Sequence, residues 1–115
     1  MITESKSENT KKILRYLMRD IIQKKLYERG IKCEVAGEEE KADILLKSSG
    51  ITIGKVFIIL PDDEDLSFLK TESGNSQIYI AFEKGREKEI TSKLLSLGLG
   101  GKVKFITWEI KVNFQ

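Results

Sequence analysis

The stretch ADILLKSSGITIGKVFIILP, residues 42–61, decides the fold. Its second half, Ile51 to Leu60, is rich in β-branched side chains, and Lys55 is its only charged residue. A strand with one wet face alternates apolar and polar residues. An unbroken apolar run predicts burial on both faces, and so a central strand. Pro61 ends the run, because it has no N–H to give to a ladder. Its first half, Ala42 to Lys47, reads as a shorter apolar strand, and Ser48, Ser49 and Gly50 make the tight turn between the two.

Working back from Ala42, the acidic Gly37 to Glu40 segment makes a turn, and Ile31 to Ala36 is a strand alternating around Cys33 and Val35. A helix is predicted over about Asn9 to Arg29. Its apolar residues Ile13, Leu14, Leu17, Met18, Ile21, Ile22 and Leu26 recur at spacings of three and four and form one stripe. Asn9 or Thr10 suits its N-cap, and Gly30 the left-handed position after its end. Residues 1–8 read as a flexible polar tail. Working forward, the carboxylates Asp62 to Asp65 open a weak helix through Leu66, Phe68 and Leu69, favoured by the positive end of the helix dipole. Thr71 to Asn75 is a loop and Gln77 to Phe82 a strand. A helix carrying Ile90, Leu94, Leu95 and Leu97 stops in the Gly98 to Gly101 segment. Val103 to Val112, with Phe105 and Trp108, is the last strand. The order α-β-β-β-α-β-α-β requires a mixed central sheet with helices on its faces, an α/β fold in one domain over residues 9–115.

Composition narrows the chemistry. The chain has 115 residues and no His, which excludes a His base, ligand or triad. The single Cys33 excludes an intrachain disulfide and a multi-thiolate metal site, and in a strand it reads as a packed core thiol. No phosphate-binding glycine loop is present: Gly98, Gly100 and Gly101 precede a strand and read as a helix stop. The aromatics, Tyr16, Tyr27, Tyr79, Phe105 and Trp108 among them, sit at core-like spacing and read as packing. Abundant Lys, Glu, Ile and Leu lean toward a thermophile. A polar N-terminus, no long apolar run and no disulfide framework point to the cytoplasm, with no membrane partner.

Charge is unevenly spread. Residues 1–32 carry nine basic and four acidic side chains, residues 33–74 four and ten, and residues 75–115 seven and four. Lys11, Lys12, Arg15, Arg19, Lys24 and Lys25 on the first helix are therefore the candidates for tracking phosphates of DNA or RNA. A solvated helix face is the plainer reading of the same residues. The acidic clusters around Glu38 and Asp62 would stay away from any such face.

The order of elements, with Leu26 to Gly30 followed by Ile31 to Val35, then Ala42 to Gly50 and Val103 to Glu109, resembles the restriction-endonuclease-like, or PD-(D/E)XK, superfamily. Within it the chain is most similar to archaeal Holliday-junction resolvases. The segments Tyr27-Glu28-Arg29-Gly30 and Ala42-Asp43-Ile44-Leu45 also resemble the C-terminal domain of archaeal tRNA-splicing endonucleases. That family works with a Tyr, a His and a Lys, and the His is missing here. The resolvase resemblance implies a metal-binding carboxylate at Asp43, followed by an acidic residue and a Lys on the central strand. Those two positions fall on Val56 and Ile58, and the expected helix Glu falls on Arg19, beside Asp20. Asp43 reads equally as a turn residue at the start of its strand.

Three functions follow as expectations. The first is a non-catalytic subunit with a degenerate nuclease site, which binds nucleic acid or builds a larger nucleic-acid-processing assembly and needs no cofactor. The second is a Mg²⁺-dependent endonuclease with a rearranged site of Asp43, Lys55 and Asp62, Asp63 being the other source of a migrated carboxylate. The third is a protein-interaction module whose last strand or a helix face forms a homodimer.

Overall fold

A computed structural model describes residues 2–37, 40–61, 63, 65–72 and 76–109, with side chains described from Asn9 onward. The elements are α1 (Ile2–Glu28), β1 (Cys33–Val35), β2 (Ile44–Ser48), β3 (Ile51–Ile58), α2 (Leu69–Glu72), β4 (Gln77–Glu83), α3 (Glu87–Ser96) and β5 (Val103–Trp108). They form a mixed five-stranded sheet in the order β1-β2-β3-β4-β5. The first three strands are an antiparallel meander, and β3, β4 and β5 run parallel. The expected order of elements and the mixed sheet are thus present, with β3 at its centre.

Side chains alternate across β3 and β4 and divide the core in two. Val56, Ile58, Leu60 and Ala81 meet Met18 and Ile22 of α1. Phe57, Ile59, Ile78, Ile80 and Phe82 meet Leu69, Ile90 and Leu94 from the α2–α3 side. The α2–α3 side also holds a tilted Phe57–Phe68 pair and an edge-to-face Phe82–Phe105 pair, centroids 5.5 and 5.1 Å apart. Cys33 is buried in the α1 layer, and desolvation pushes its thiol pKa up, which suits an unreactive core thiol.

Several boundaries differ from the expectation. The helix begins at Ile2 instead of Asn9. No Gly or Pro interrupts residues 2–28, and nothing local stops the helix from propagating backward once its later turns are packed. Its end is as read: Gly30, at φ +79°, lets the Ile31 N–H reach the Leu26 carbonyl and the Gly30 N–H that of Tyr27. The weak helix after Pro61 shrinks to Leu69–Glu72, because Asp63 and Asp65 spend their carboxylates on the backbone N–H groups of Leu60 and Ser67. Asp62, Glu64 and the last strand residues expected beyond Glu109 lie outside the described residues.

Burial on both faces holds for Val56 to Leu60 but not for the start of the run. Ile51 and Ile53 are exposed because β4 pairs with β3 only from Gly54 onward, so the β2–β3 hairpin overhangs the sheet. A register shift opposite Leu46 and Lys47 leaves Ile53 as the extra residue. At the hairpin tip Ser49 and Gly50 both have positive φ, the pattern of a type I′ turn. Asn adopts that conformation more readily than Ser. Ser49→Asn should therefore stabilise the domain by about 0.5 kcal/mol, read as a higher urea midpoint with unchanged slope.

Candidate functional site

The site worth testing lies where β2 begins. Val35 pairs with Ile44, and Ile44 with Val56, so the meander is closed up to that level. One step beyond, the Asp43 N–H still donates to the Val56 carbonyl (2.8 Å) and its C=O accepts from the Ala36 N–H (3.0 Å). Further along β3 the neighbouring strand is gone, yet Ile58 is buried and its N–H and C=O need partners. Side chains take over. The Ile58 N–H donates to Asp43 Oδ2 at 2.7 Å, and the Ile58 carbonyl accepts from Arg15 Nη1 at 3.0 Å. Asp43 and Arg15 together continue the ladder past the end of β2.

Asp43 is 1% exposed, and its remaining acceptor positions are filled by guanidinium groups. Arg15 Nη1 donates to Oδ1 and Oδ2 at 3.1 and 2.9 Å. Arg19 Nε donates to Oδ1 at 2.8 Å, and its Nη2 lies 2.8 Å from the same oxygen. Arg15 Nη2 reaches on to Asp63 Oδ2 at 3.2 Å, which also accepts the Leu60 N–H at 3.0 Å. The result is a chain of four alternating charges, Arg19–Asp43–Arg15–Asp63, tying α1 to both ends of the Ile58–Leu60 segment. Beside it opens a pocket of about 490 Å³, with Lys41, Asp65 and Phe68 also on its walls.

Spacing on α1 explains the clamp. Arg15 and Arg19 are one turn apart and border the row Leu14, Met18, Ile22 that packs on the sheet, so both side chains bend over the same edge. The two guanidiniums keep partial contact with solvent while the carboxylate between them has almost none. A planar fork with several donors suits an acceptor-only carboxylate in that setting.

The remaining candidates separate. Lys55 faces the α2–α3 side with Phe57 and has ion pairs with Glu40 (3.7 Å) and Glu72 (3.5 Å), not with the Asp43 group. It does not line the pocket beside Asp43. Asp62 lies outside the described residues. Val56 and Ile58 are buried beneath α1. Of the six basic candidates, Arg15 and Arg19 are held by carboxylates of the chain itself. Lys24 pairs with Asp20 at 3.0 Å and Lys25 with Glu28 at 3.6 Å on exposed helix surface. Lys12 is exposed and Lys11 half-buried.

The sequence offered Arg15 and Arg19 as phosphate contacts or a solvated face, and Asp63 as a migrated metal ligand, but did not show that the two arginines hold Asp43 and that Asp63 is the fourth member. A signal was present: two arginines one turn apart beside a helix's buried row demand an acceptor, and Asp43 is the lone acid in an apolar strand start. Among the described residues no three His, Cys, Asp or Glu side chains are grouped to hold a metal ion. Every buried side-chain nitrogen and oxygen described has a partner. No described helix is long and apolar enough to cross a membrane. Comparison with protein families, with curated proteins and with solved structures found no match.

Proposed function

We propose that this chain is a non-catalytic subunit on a restriction-endonuclease-like scaffold, serving nucleic-acid binding or the architecture of a nucleic-acid-processing assembly. The sheet order and an Asp at the start of the second strand support the scaffold. The occupancy of Asp43 carries the non-catalytic reading: both carboxylate oxygens already accept charged donors and a backbone N–H. A divalent cation there would have to displace two guanidiniums and stand beside them, whereas Mg²⁺ sites combine carboxylates, waters and phosphates. Val56 and Ile58 add no ligand and no base.

Nucleic acid, if bound, meets exposed lysines and not the arginines of the clamp. Lys24 and Lys25 are each 72% exposed, and their intrahelical ion pairs are worth only a few tenths of a kcal/mol, so phosphates compete for them readily.

One experiment tests both halves. Labelled duplex, branched and single-stranded DNA, and RNA, are titrated with protein at two salt concentrations, then incubated with Mg²⁺ or Mn²⁺. We expect no cleavage, and binding that falls with salt. Lys24→Ala/Lys25→Ala should weaken that binding and lower the salt slope by about one per lost phosphate contact. Metal-dependent cleavage that Lys55→Ala abolishes while the protein stays folded would overturn the non-catalytic reading. Absence of binding even at low salt would leave the architectural role alone.

A further inference from the structure

α1 has more apolar surface than its own domain uses. Its apolar side chains, from Ile13 round to Leu26, sweep about 220° of the helix at 100° per residue, where a surface helix needs little more than 100°. They form two neighbouring rows. Leu14, Met18, Ile22 and Leu26 pack on the sheet. Ile13, Leu17 and Ile21 form a second row, 61%, 55% and 48% exposed, and Tyr16 beside them is 69% exposed. The sequence suggested a single buried stripe, but the sheet covers only half of it.

We infer that this second row is a two-fold interface with a second copy of the same chain. The row is self-complementary. Ile13 and Ile21 stand four residues to either side of Leu17, so a two-fold axis through Leu17 sets Leu17 against its equivalent and Ile13 against Ile21 of the second copy. The Ile13–Ile21 contact is then made twice and the Leu17 self-contact once, on the axis, as an isologous interface requires. Charges agree with this pairing. The row ends at Thr10 on one side and Lys24 on the other, and the axis places Lys24 level with Thr10, so no like charges meet.

Area points the same way. The four exposed side chains leave on the order of 400 Å² open, already the size of a typical monomer's largest apolar patch. Ile21 also lines a groove of about 510 Å³ between α1 and β5, with Ile106 and Trp108 on its far wall. Row and groove wall together reach roughly 500 Å² per copy, the low end of the interface scale, so the dimer is a weak one that fills at high protein concentration.

The test is hydrodynamic mass from low micromolar to a few hundred micromolar protein, and it is independent of any cleavage or nucleic-acid result. We expect twice the 13.1 kDa chain mass at high concentration. Leu17→Asp should raise the dissociation constant at least ~30-fold, since a central anchor is lost from both copies. Its circular dichroism should not change, because the side chain is solvent-exposed in one copy. As a gain-of-signal control, Leu17→Cys should form a disulfide-linked dimer on mild oxidation. Leu95→Cys, on an equally exposed α3 position (64%), should not, and Cys33 is buried and silent. A wild-type monomer throughout the range would overturn the inference in favour of a different protein as occupant. So would an unchanged mass for Leu17→Asp, or equal cross-linking at positions 17 and 95.

Discussion

Asp43→Ala should destabilise the fold by about 3–5 kcal/mol, a large share of what a domain of this size possesses. Three losses combine. The buried Ile58 N–H loses its acceptor, a cost of about 1–3 kcal/mol. Arg15 and Arg19 lose the carboxylate that neutralises them, and Arg15 remains tied to the Ile58 carbonyl and Asp63, so it cannot simply swing into water. The tether between α1 and the end of the meander also goes. Asp43→Asn is the informative partner variant. It keeps the shape, but its amide presents donors to a site filled by donors, so it should fall much closer to Asp43→Ala than to wild type. Urea unfolding followed by circular dichroism reads both. A loss below 1 kcal/mol for Asp43→Ala would mean that the clamp is ornamental, and would reopen Asp43 to metal chemistry. Breaking the clamp in this way does not measure its net worth, since a packed apolar replacement of all its members could be equally stable.

The second large effect is expected at Val56→Asp, which should leave the protein unfolded or at least ~4 kcal/mol less stable at neutral pH. Val56 is 0% exposed and packs with Met18, Ile22 and Ile44 under α1. A carboxylate there has no described donor and is cut off from water, so it must ionise at high cost or take up a proton and remain a buried, unpaired acid. Adding Ile58→Lys, which completes the acid-X-Lys spacing of a nuclease strand, should not rescue it. Both groups would share a layer closed by α1, and desolvation of the pair exceeds what their attraction returns. Lys55→Ala, on the other face and partly exposed, should cost only about 1 kcal/mol or less. If the double variant folded within 1 kcal/mol of wild type, α1 could not be the lid over this part of the sheet. The absence of a carboxylate at position 56 would then be a matter of function and not of packing.

The two variants bear on one question from opposite sides. Asp43 is polar and buried because three donors surround it, and Val56 is apolar and buried because none do. A metal-dependent site needs several acceptors grouped around water. Among the described residues no such group is found, and Asp43 and Asp63 are matched to guanidinium and N–H groups of the same chain.

By itself the sequence determined the order of elements, because that order is written in local terms. The unbroken β-branched run at Ile51 to Leu60 marked the central strand. Pro61 and Gly30 marked ends that backbone geometry imposes on any fold. The 3–4 spacing in α1 and the Gly98 stop of α3 were equally legible. What only the tertiary structure decided depended on pairing across distance. Periodicity in α1 shows which residues are apolar but not how much of that arc the sheet covers. The width of the sheet settles this by burying Met18 and Ile22 and leaving Leu17 outside. Charge counting along α1 distinguishes a basic helix from an acidic one, but a guanidinium at position 15 looks the same whether it faces water, phosphate or Asp43. Its partner lies 28 residues away and is set by where β2 runs out. The role of Asp43 was open for that reason. A lone acid at a strand start is a turn residue, a metal ligand or a ladder cap according to what stands opposite, and only the fold brought Ile58, Arg15 and Arg19 to it.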